Sequence, residues 1–305
     1  MSLTVLDAAA TAARLPWDGL TETLRQMLAR RRAGQAVAPE RLAVPLAGGI
    51  LLAMPATDGE YASTKLVTVC GDNPQRGLPT ILGEVVLMRA DTGEWLLLLD
   101  GPTVTVRRTA AMSVLAATEL GAPRKASVLI VGSGAQARGH LDAFAATLGV
   151  GRVRVCSRQP RNAAAFAAWA RERDIDCQAI DSPAAALADS DIVITGTTSL
   201  LPLFADNPRF TGFVAAVGAF RPEMCELPPA LVRRARLYID DKPGGLHEAG
   251  DFIQAGVDWS QVVALEDAIA GHSRPSGGPV VFKSVGQALW DLAACRLALA
   301  TAAAA

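Results

Sequence analysis

The sequence predicts an α/β protein, a doubly wound parallel sheet joined to a second domain of α+β type. Three observations carry that expectation. An apolar, β-branched run, Val128 to Val131, enters Gly132-x-Gly134-x-x-Ala137 and continues into a helical pattern through Leu148. Beyond it, short apolar runs alternate with helix-like stretches, as parallel strands with helical crossovers do. Before it, the apolar runs of residues 41–100 are separated by Gly, Pro, Asn and Asp, the pattern of an antiparallel sheet.

In chain order, residues 18–32 form an amphipathic helix. Leu20, Leu24, Met27 and Leu28 share one face, and Arg30 to Arg32 occupy the last turn, where cations suit the helix dipole and are expected to be solvated. Gly34 to Pro39 is a loop. Strands are expected at 42–46, 49–54, 64–70, 80–88 and 95–99, with Asp91-Thr92-Gly93 as a hairpin turn. Gly101-Pro102 ends the sheet, and a helix runs from Thr103 to Leu120. Gly121-Ala122-Pro123 is the expected boundary, because the period changes across it. Strands then follow at 128–132, 152–157, 177–180, 191–195, 213–217 and 236–240, with Asn162 to Arg173 the clearest helix between them. Val285 to Ala300 reads as a long apolar helix that returns to the first domain. The expected domains are therefore 1–121 together with about 287–305, for substrate binding and dimerisation, and 122–286, for a nucleotide.

The glycine turn carries the first functional reading. Gly132 permits the tight turn, Gly134 lets the backbone approach a pyrophosphate, and Ala137 lets the helix pack on the strand. The N–H groups at the helix start then face phosphate. This is the Rossmann fingerprint. Where an NAD site carries an acid at the end of the second strand, this chain has Cys156-Ser157-Arg158, with Arg161 close behind. A guanidinium welcomes a 2′-phosphate, so NADP(H) is the preferred cofactor and NAD(H) is second. The alternative is an arginine that caps exposed sheet.

Composition excludes several classes. The 305 residues are 50% hydrophobic with a formal net charge of -1, which favours neither nucleic acid nor an anionic membrane surface. No apolar run approaches a membrane span, and Met1 to Ala13 lacks the basic start and apolar core of a signal peptide. The five cysteines are scattered without a C-x-x-C, as expected for reduced thiols in the cytoplasm. His140, His247 and His272 show no metal-ligand spacing, so no metal is expected. His140 is read as a packing or surface residue. The surplus apolar character suggests a buried subunit interface, although many buried alanines would give the same composition.

Arg41, Lys65 and Arg108 are the candidate substrate-binding cations in the sheet domain, which is expected to form a pocket with the nucleotide domain. Lys65 interrupts the apolar run Thr64 to Val69, and a charge there is costly unless paired or at a site. An edge strand pointing a lysine at solvent would give the same pattern.

At this point the chain resembles the ornithine cyclodeaminase/mu-crystallin family. The resemblance rests on Lys65 in its strand, Asn73-Pro74-x-x-Gly77-Leu78-Pro79-Thr80, Leu99-Asp100-Gly101 with Arg108-Thr109-Ala110-Ala111, Gly132 to Ala137, and Phe282-Lys283-Ser284-Val285-Gly286. It implies a homodimeric two-domain enzyme that binds NAD(P)(H). It further implies that Arg41, Lys65 and Arg108 hold a substrate carboxylate, and that Thr80, Ala135, Gln136, Thr197, Val217 and Ser284 lie near the cofactor. The full expected cofactor set adds Arg108, Gly132, Gly134, Ser157 and Arg158. The position of Ser157 carries the ribose-binding acid in NAD-using cyclodeaminases. Cyclodeaminases also place an Asp after the counterpart of Gly218-Ala219, where this chain has Phe220, and an acid ahead of the lysine, where Gly48 to Met54 has none. Without those acids the pocket would hold ornithine's second ammonium poorly, and an apolar wall at Phe220 suits a flat ring. Glu60, Glu223 and Asp251 are the acids that would have to substitute.

The expectation is thus NAD(P)H-dependent reduction of the cyclic ketimines Δ1-pyrroline-2-carboxylate and Δ1-piperideine-2-carboxylate, with Lys65 catalytic. Ornithine cyclodeaminase, alanine dehydrogenase and a mu-crystallin-like binder of NADPH and a hydrophobic ligand stand as alternatives.

Overall fold

The computed structural model describes residues 3–271, 275 and 277–303; His272 lies outside them. The chain folds as two units, Met1–Ala111 with Gln287–Ala305, and Met112–Gly286. The division falls inside a helix, ahead of the Gly121 turn.

Unit 1 contains β1 (Thr4–Leu6), α1 (Ala8–Ala13), α2 (Trp17–Arg32), β2 (Leu42–Leu46), β3 (Gly49–Thr57), β4 (Tyr61–Val69), β5 (Ile81–Arg89) and β6 (Trp95–Asp100). The helix α3 (Gly101–Glu119) begins in it, and the terminal helix Ala288–Ala303 completes it. Among the described residues the strands form a six-stranded sheet in the order β1-β6-β5-β4-β3-β2. It is antiparallel from β2 to β6, and the short β1, which the apolar pattern does not reveal, adds parallel to β6. Asp100 starts α3 by accepting the Thr103 N–H at 2.8 Å, so Gly101 and Pro102 form its first turn rather than the end of the sheet.

Register places Lys65 opposite Met54 and Val85, on the face carrying buried Ser63 and Val67. The other face carries Leu42, Val44, Leu46, Leu66 and Leu82, all exposed. The α2 residues Leu20, Leu24, Met27 and Leu28 are buried. Its arginine turn is not simply solvated, because the Arg31 guanidinium lies 5.7 Å from the centre of the Trp290 ring.

Unit 2 contains β7 (Ala126–Val131), α4 (Ala135–Thr147), β8 (Val150–Cys156), α5 (Pro160–Arg171), β9 (Cys177–Ala179), α6 (Ala184–Leu187), β10 (Ile192–Thr195), β11 (Phe213–Ala216), α7 (Pro229–Arg234) and β12 (Arg236–Ile239). It continues with α8 (Lys242–Glu248), α9 (Gly250–Ala255), β13 (Val263–Ala264), α10 (Leu265–Ala270) and β14 (Val280–Lys283). The parallel eight-stranded sheet runs β13-β12-β14-β11-β10-β7-β8-β9. Buried Leu129, Val131, Val193, Val214, Phe252 and Val281 belong to its core. Strand order reverses between β7 and β10, the switch point where α/β sheets bind ligands beyond the strand ends.

The apolar pattern does not reveal two of these strands, β13 and β14. The Val280-Val281-Phe282-Lys283 run of β14 fills the gap between β11 and β12, pairing parallel with both. Residues 285–287 then remain outside the terminal helix. Asp240 accepts the Val285 and Gly286 N–H groups, and Gly286 adopts φ +78°, so helix begins only at Ala288.

Candidate active site

At the switch point, Gly132 takes φ +120°, and a Cβ there would come within 2.7 Å of the Gly196 carbonyl oxygen. Only glycine therefore lets the end of β7 approach the end of β10 this closely. At Gly134, the N-cap of α4, a Cβ would meet nothing within 4 Å. Gly134 and Ala135 are exposed. Open space in front of first-turn N–H groups fits a pyrophosphate, which the helix N-terminus would attract. Buried Gln136 Oε1 also has no hydrogen-bond partner among the described residues. The unit thus fits a dinucleotide. Next to this turn the Ser133 and Ser157 hydroxyls lie 3.0 Å apart, and Arg158 is exposed.

Thr197, Val217 and Ser284 follow the ends of β10, β11 and β14; buried carboxylates that no sequence motif singles out hold Thr197, Ser284 and the two residues after Val217. Glu226 accepts from the Thr195 hydroxyl (2.9 Å), the Thr197 N–H (2.6 Å) and hydroxyl (2.8 Å), and the Gly218 (2.7 Å) and Ala219 (3.3 Å) N–H groups. Burial raises its pKa, with Lys283 opposing and Asp251 adding to the rise. Asp251 accepts the Glu226 and Leu227 N–H groups through one oxygen and meets Lys283 Nζ at 2.9 Å through the other. Asp240 accepts from the Ser284 hydroxyl at 2.7 Å. Phe220 is half-buried beyond β11, with the Arg221 guanidinium 5.9 Å from its ring centre.

Unit 1 brings two of its three candidate cations, Lys65 and Arg108, together around one acid, while Arg41 is half-buried just before β2. Lys65 on β4, Arg108 on α3 and Asp291 in the first turn of the terminal helix are all buried. Asp291 Oδ2 lies 2.8 Å from Lys65 Nζ, and Oδ1 accepts from Arg108 Nε at 3.2 Å. The Lys65 ammonium also donates to the Thr105 hydroxyl at 3.4 Å. Burial pulls Lys65 from 10.5 down to about 8; Arg108 and Arg41 push the same way, while Asp291 opposes them. Lys65 is therefore no edge-strand lysine pointing at solvent. Thr80, by contrast, is exposed on the loop before β5, where its carbonyl accepts the Cys70 N–H.

The acids that would have to serve a second ammonium are otherwise engaged. Glu60 pairs with Arg296, Glu223 with Arg221, and Asp251 with Lys283. His140 is buried rather than superficial: its Nδ1 lies 2.7 Å from the Gln136 carbonyl oxygen and its Nε2 3.0 Å from the Ser113 hydroxyl. Among the described residues no group of His, Cys, Asp and Glu is arranged to hold a metal, and no helix is long and apolar enough to cross a membrane.

The family model of the ornithine cyclodeaminase/mu-crystallin family matches residues 3–304. The chain is 46% identical over 297 residues to a Δ1-pyrroline-2-carboxylate reductase of Burkholderia multivorans, covering 96% of this chain and 94% of that one. It is 46% identical over 296 residues to a Δ1-pyrroline-2-carboxylate/Δ1-piperideine-2-carboxylate reductase of Azospirillum brasilense, with the same coverage. Among solved structures, the Δ1-pyrroline-2-carboxylate reductase of Thermococcus litoralis, in complex with NADH and L-proline, superposes with a TM-score of 0.90. That match has 27% identity and covers 99% of this chain and 98% of the other.

Proposed function

The chain belongs to the ornithine cyclodeaminase/mu-crystallin family, and we propose that it is an NAD(P)H-dependent reductase acting on the C=N bond of cyclic imino acids. Its substrates are Δ1-pyrroline-2-carboxylate and Δ1-piperideine-2-carboxylate, reduced to L-proline and L-pipecolate. Relatives named for these activities support the reading. The observation that carries it is the Lys65–Asp291–Arg108 cluster. Two cations and one acid leave excess positive charge, which matches a single substrate carboxylate. Both Asp291 oxygens are already engaged, so no acid of this cluster is left for ornithine's distal ammonium.

In this reading Arg41 and Arg108 clamp the carboxylate through charge-assisted hydrogen bonds. Lys65 joins the clamp and keeps the imine nitrogen protonated, which makes the C=N carbon electrophilic. NAD(P)H, when bound, supplies the hydride. The residues of unit 2 that would hold it are Gly132, Gly134, Ala135 and Gln136 at the α4 turn, with Thr197, Val217 and Ser284 at the ends of β10, β11 and β14. Thr80 and Arg108 are assigned to the same cofactor, and Phe220 to the wall beside the substrate ring. Ser157 and Arg158 favour NADPH, because no acid stands at the end of β8 and a guanidinium does. The exposed apolar face of the unit 1 sheet favours a homodimer in which a second copy covers it. We place the enzyme in the cytoplasm, in keeping with its five free cysteines.

The test is NADPH oxidation with the two cyclic imines, compared with pyruvate plus ammonia. Imine-dependent oxidation is expected. Oxidation only with pyruvate and ammonia would make the chain an alanine dehydrogenase, and proline with ammonia from ornithine, without added reductant, would make it a cyclodeaminase. Tight NADPH binding without turnover would favour a binding protein.

A further inference from the structure

Asp291 is the residue of the candidate site that local sequence motifs do not point to. It comes from the far end of the chain, yet it stands against both buried cations of unit 1, 2.8 Å from Lys65 Nζ and 3.2 Å from Arg108 Nε. Its side chain is 1% exposed, against 3% for Lys65 and 7% for Arg108. Little water reaches the three to screen them, so Asp291 is the countercharge to two cations at once and the cluster keeps one net positive charge. Its place in the first turn of a 16-residue helix adds the favourable end of the helix dipole.

We propose that Asp291 is a positioning residue for imine reduction: it holds the Lys65 ammonium and the Arg108 guanidinium in one fixed arrangement and supplies the countercharge that lets both stay cationic in a dry site. It acts through Lys65 and does not itself touch the substrate. The proposal rests on the reading of Lys65 as the group that keeps the imine protonated.

What decides the role is which group can yield. A guanidinium keeps its proton, whereas a buried ammonium gives its proton up when it loses its counter-ion. The charged and titratable groups facing Lys65 are Arg108 from α3, Arg41 from the segment before β2, and Asp291 and Cys295 from the terminal helix. Burial and the two arginines drive the Lys65 proton off, and the Cys295 thiol is itself pushed up by burial, which keeps it neutral. Asp291 is the one among these that retains the Lys65 proton. In Asp291→Asn the amide oxygen would still accept from Arg108. The amide N–H groups would face Lys65, an arrangement that suits a neutral amine and not an ammonium. Hydride addition moves the C=N electron pair onto nitrogen, so a site with neutral Lys65 can neither hold the imine protonated nor replace the proton.

The experiment is the pH profile of kcat/KM for Δ1-pyrroline-2-carboxylate in Asp291→Asn, measured against the wild type so that the substrate's own titration cancels. We expect at least about a fivefold loss at pH 8, recovering as the pH is lowered, with the alkaline limb displaced toward acid by about one pH unit or more. The NADPH Kd should stay within about twofold, showing that the variant is folded. Asp291→Glu, which keeps the charge, should retain the wild-type limb at reduced kcat, and it carries the test if the Asn variant does not fold. In a Lys65→Ala background Asp291→Asn should cost no more than about threefold further, since residues acting as a unit are not additive. A loss of the same factor at every pH, a displaced limb in the Glu variant, or full multiplication of the two single effects would overturn the proposal. Near-normal turnover of Lys65→Ala would instead remove Lys65 from the mechanism, and this role of Asp291 with it.

Discussion

Asp291 in unit 1 and Glu226 in unit 2 are both completely buried carboxylates, and they are satisfied in opposite ways. Asp291 faces two side-chain cations. Glu226 faces three backbone N–H groups and two hydroxyls, from the ends of β10 and β11 and the loops after them. Backbone donors neither titrate nor swing away, so Glu226 fixes the shape of those loops at any pH where it is ionised. Ammonium and guanidinium donors bring charge, and one of them can lose it. Unit 2 thus offers a rigid frame and unit 1 an adjustable charge. The hydride transfer to an iminium proposed above would draw on both kinds of site, one to hold a donor ring in place and one to keep an acceptor protonated.

The largest effect should come from breaking the rigid frame. Glu226→Ala would leave the Thr195, Thr197, Gly218 and Ala219 donors buried without an acceptor, at about 1–3 kcal/mol for each unsatisfied group. Partial relaxation brings the expected loss of unfolding free energy to about 4 kcal/mol, read by denaturant titration. Glu226→Gln should be nearly as harmful, because its amide N–H groups would face other donors. A loss below about 1 kcal/mol would show that the loops do not depend on this carboxylate.

Breaking the adjustable side should separate activity from stability. Lys65→Ala is expected to cut kcat at least about a hundredfold, or about 3 kcal/mol in the barrier. Its unfolding free energy should change little, because Arg108 and Asp291 remain as a neutral pair. Comparable losses of turnover and stability would erase the distinction between the two carboxylate sites.

His140 sharpens the comparison with a buried group that is satisfied only while neutral. The Gln136 carbonyl must accept from Nδ1–H, so Nε2 accepts from the Ser113 hydroxyl. Burial pulls the ring from 6.5 down to about 4. Between those values the unfolded chain binds a proton that the folded one does not. Stability is therefore fully present above pH 6.5 and falls as the pH drops toward 4. From pH 7 to pH 5 the loss attributable to this group is about 2 kcal/mol. Denaturant titrations of wild type and His140→Gln at both pH values should show that part of the acid sensitivity disappear in the variant.

The frame was more legible than its supports, for a physical reason. Helix α2, the hairpin around Gly93 and the Gly132 turn announce themselves because periodicity and φ requirements are local. Strand β13 has only two residues, Val263–Ala264, whereas β1 and β14 are as long as β9 and β10 but run within a few residues into the apolar helices Ala8–Ala13 and Ala288–Ala303, so no change of period sets them apart. Asp291, Glu226 and Lys283 each sit in an apolar run, the same signal that marked Lys65. That signal says a charge is paired or at a site but not with what. Lys65 meets Asp291 across most of the chain and Lys283 meets Asp251, and only tertiary packing decides those partners.

The exposed end of the nucleotide site gives the smallest expected effect and the clearest contrast with both buried acids. Arg158 is exposed and Ser157 only half-buried, so any bond to a 2′-phosphate is made partly in water. A charge-assisted hydrogen bond under those conditions contributes about 1.4 kcal/mol, a tenfold change in affinity. Arg158→Ala should accordingly weaken NADPH about tenfold and leave NADH unchanged, and added salt should reduce the difference. Ser157→Asp should lower NADPH affinity further and raise that for NADH, because an acid there accepts from ribose hydroxyls and repels phosphate. Titration of both cofactors into the wild type and the two variants reads this directly. Equal NADH and NADPH affinities in the wild type, unmoved by Arg158→Ala, would mean that Arg158 covers exposed sheet and plays no part in choosing the cofactor.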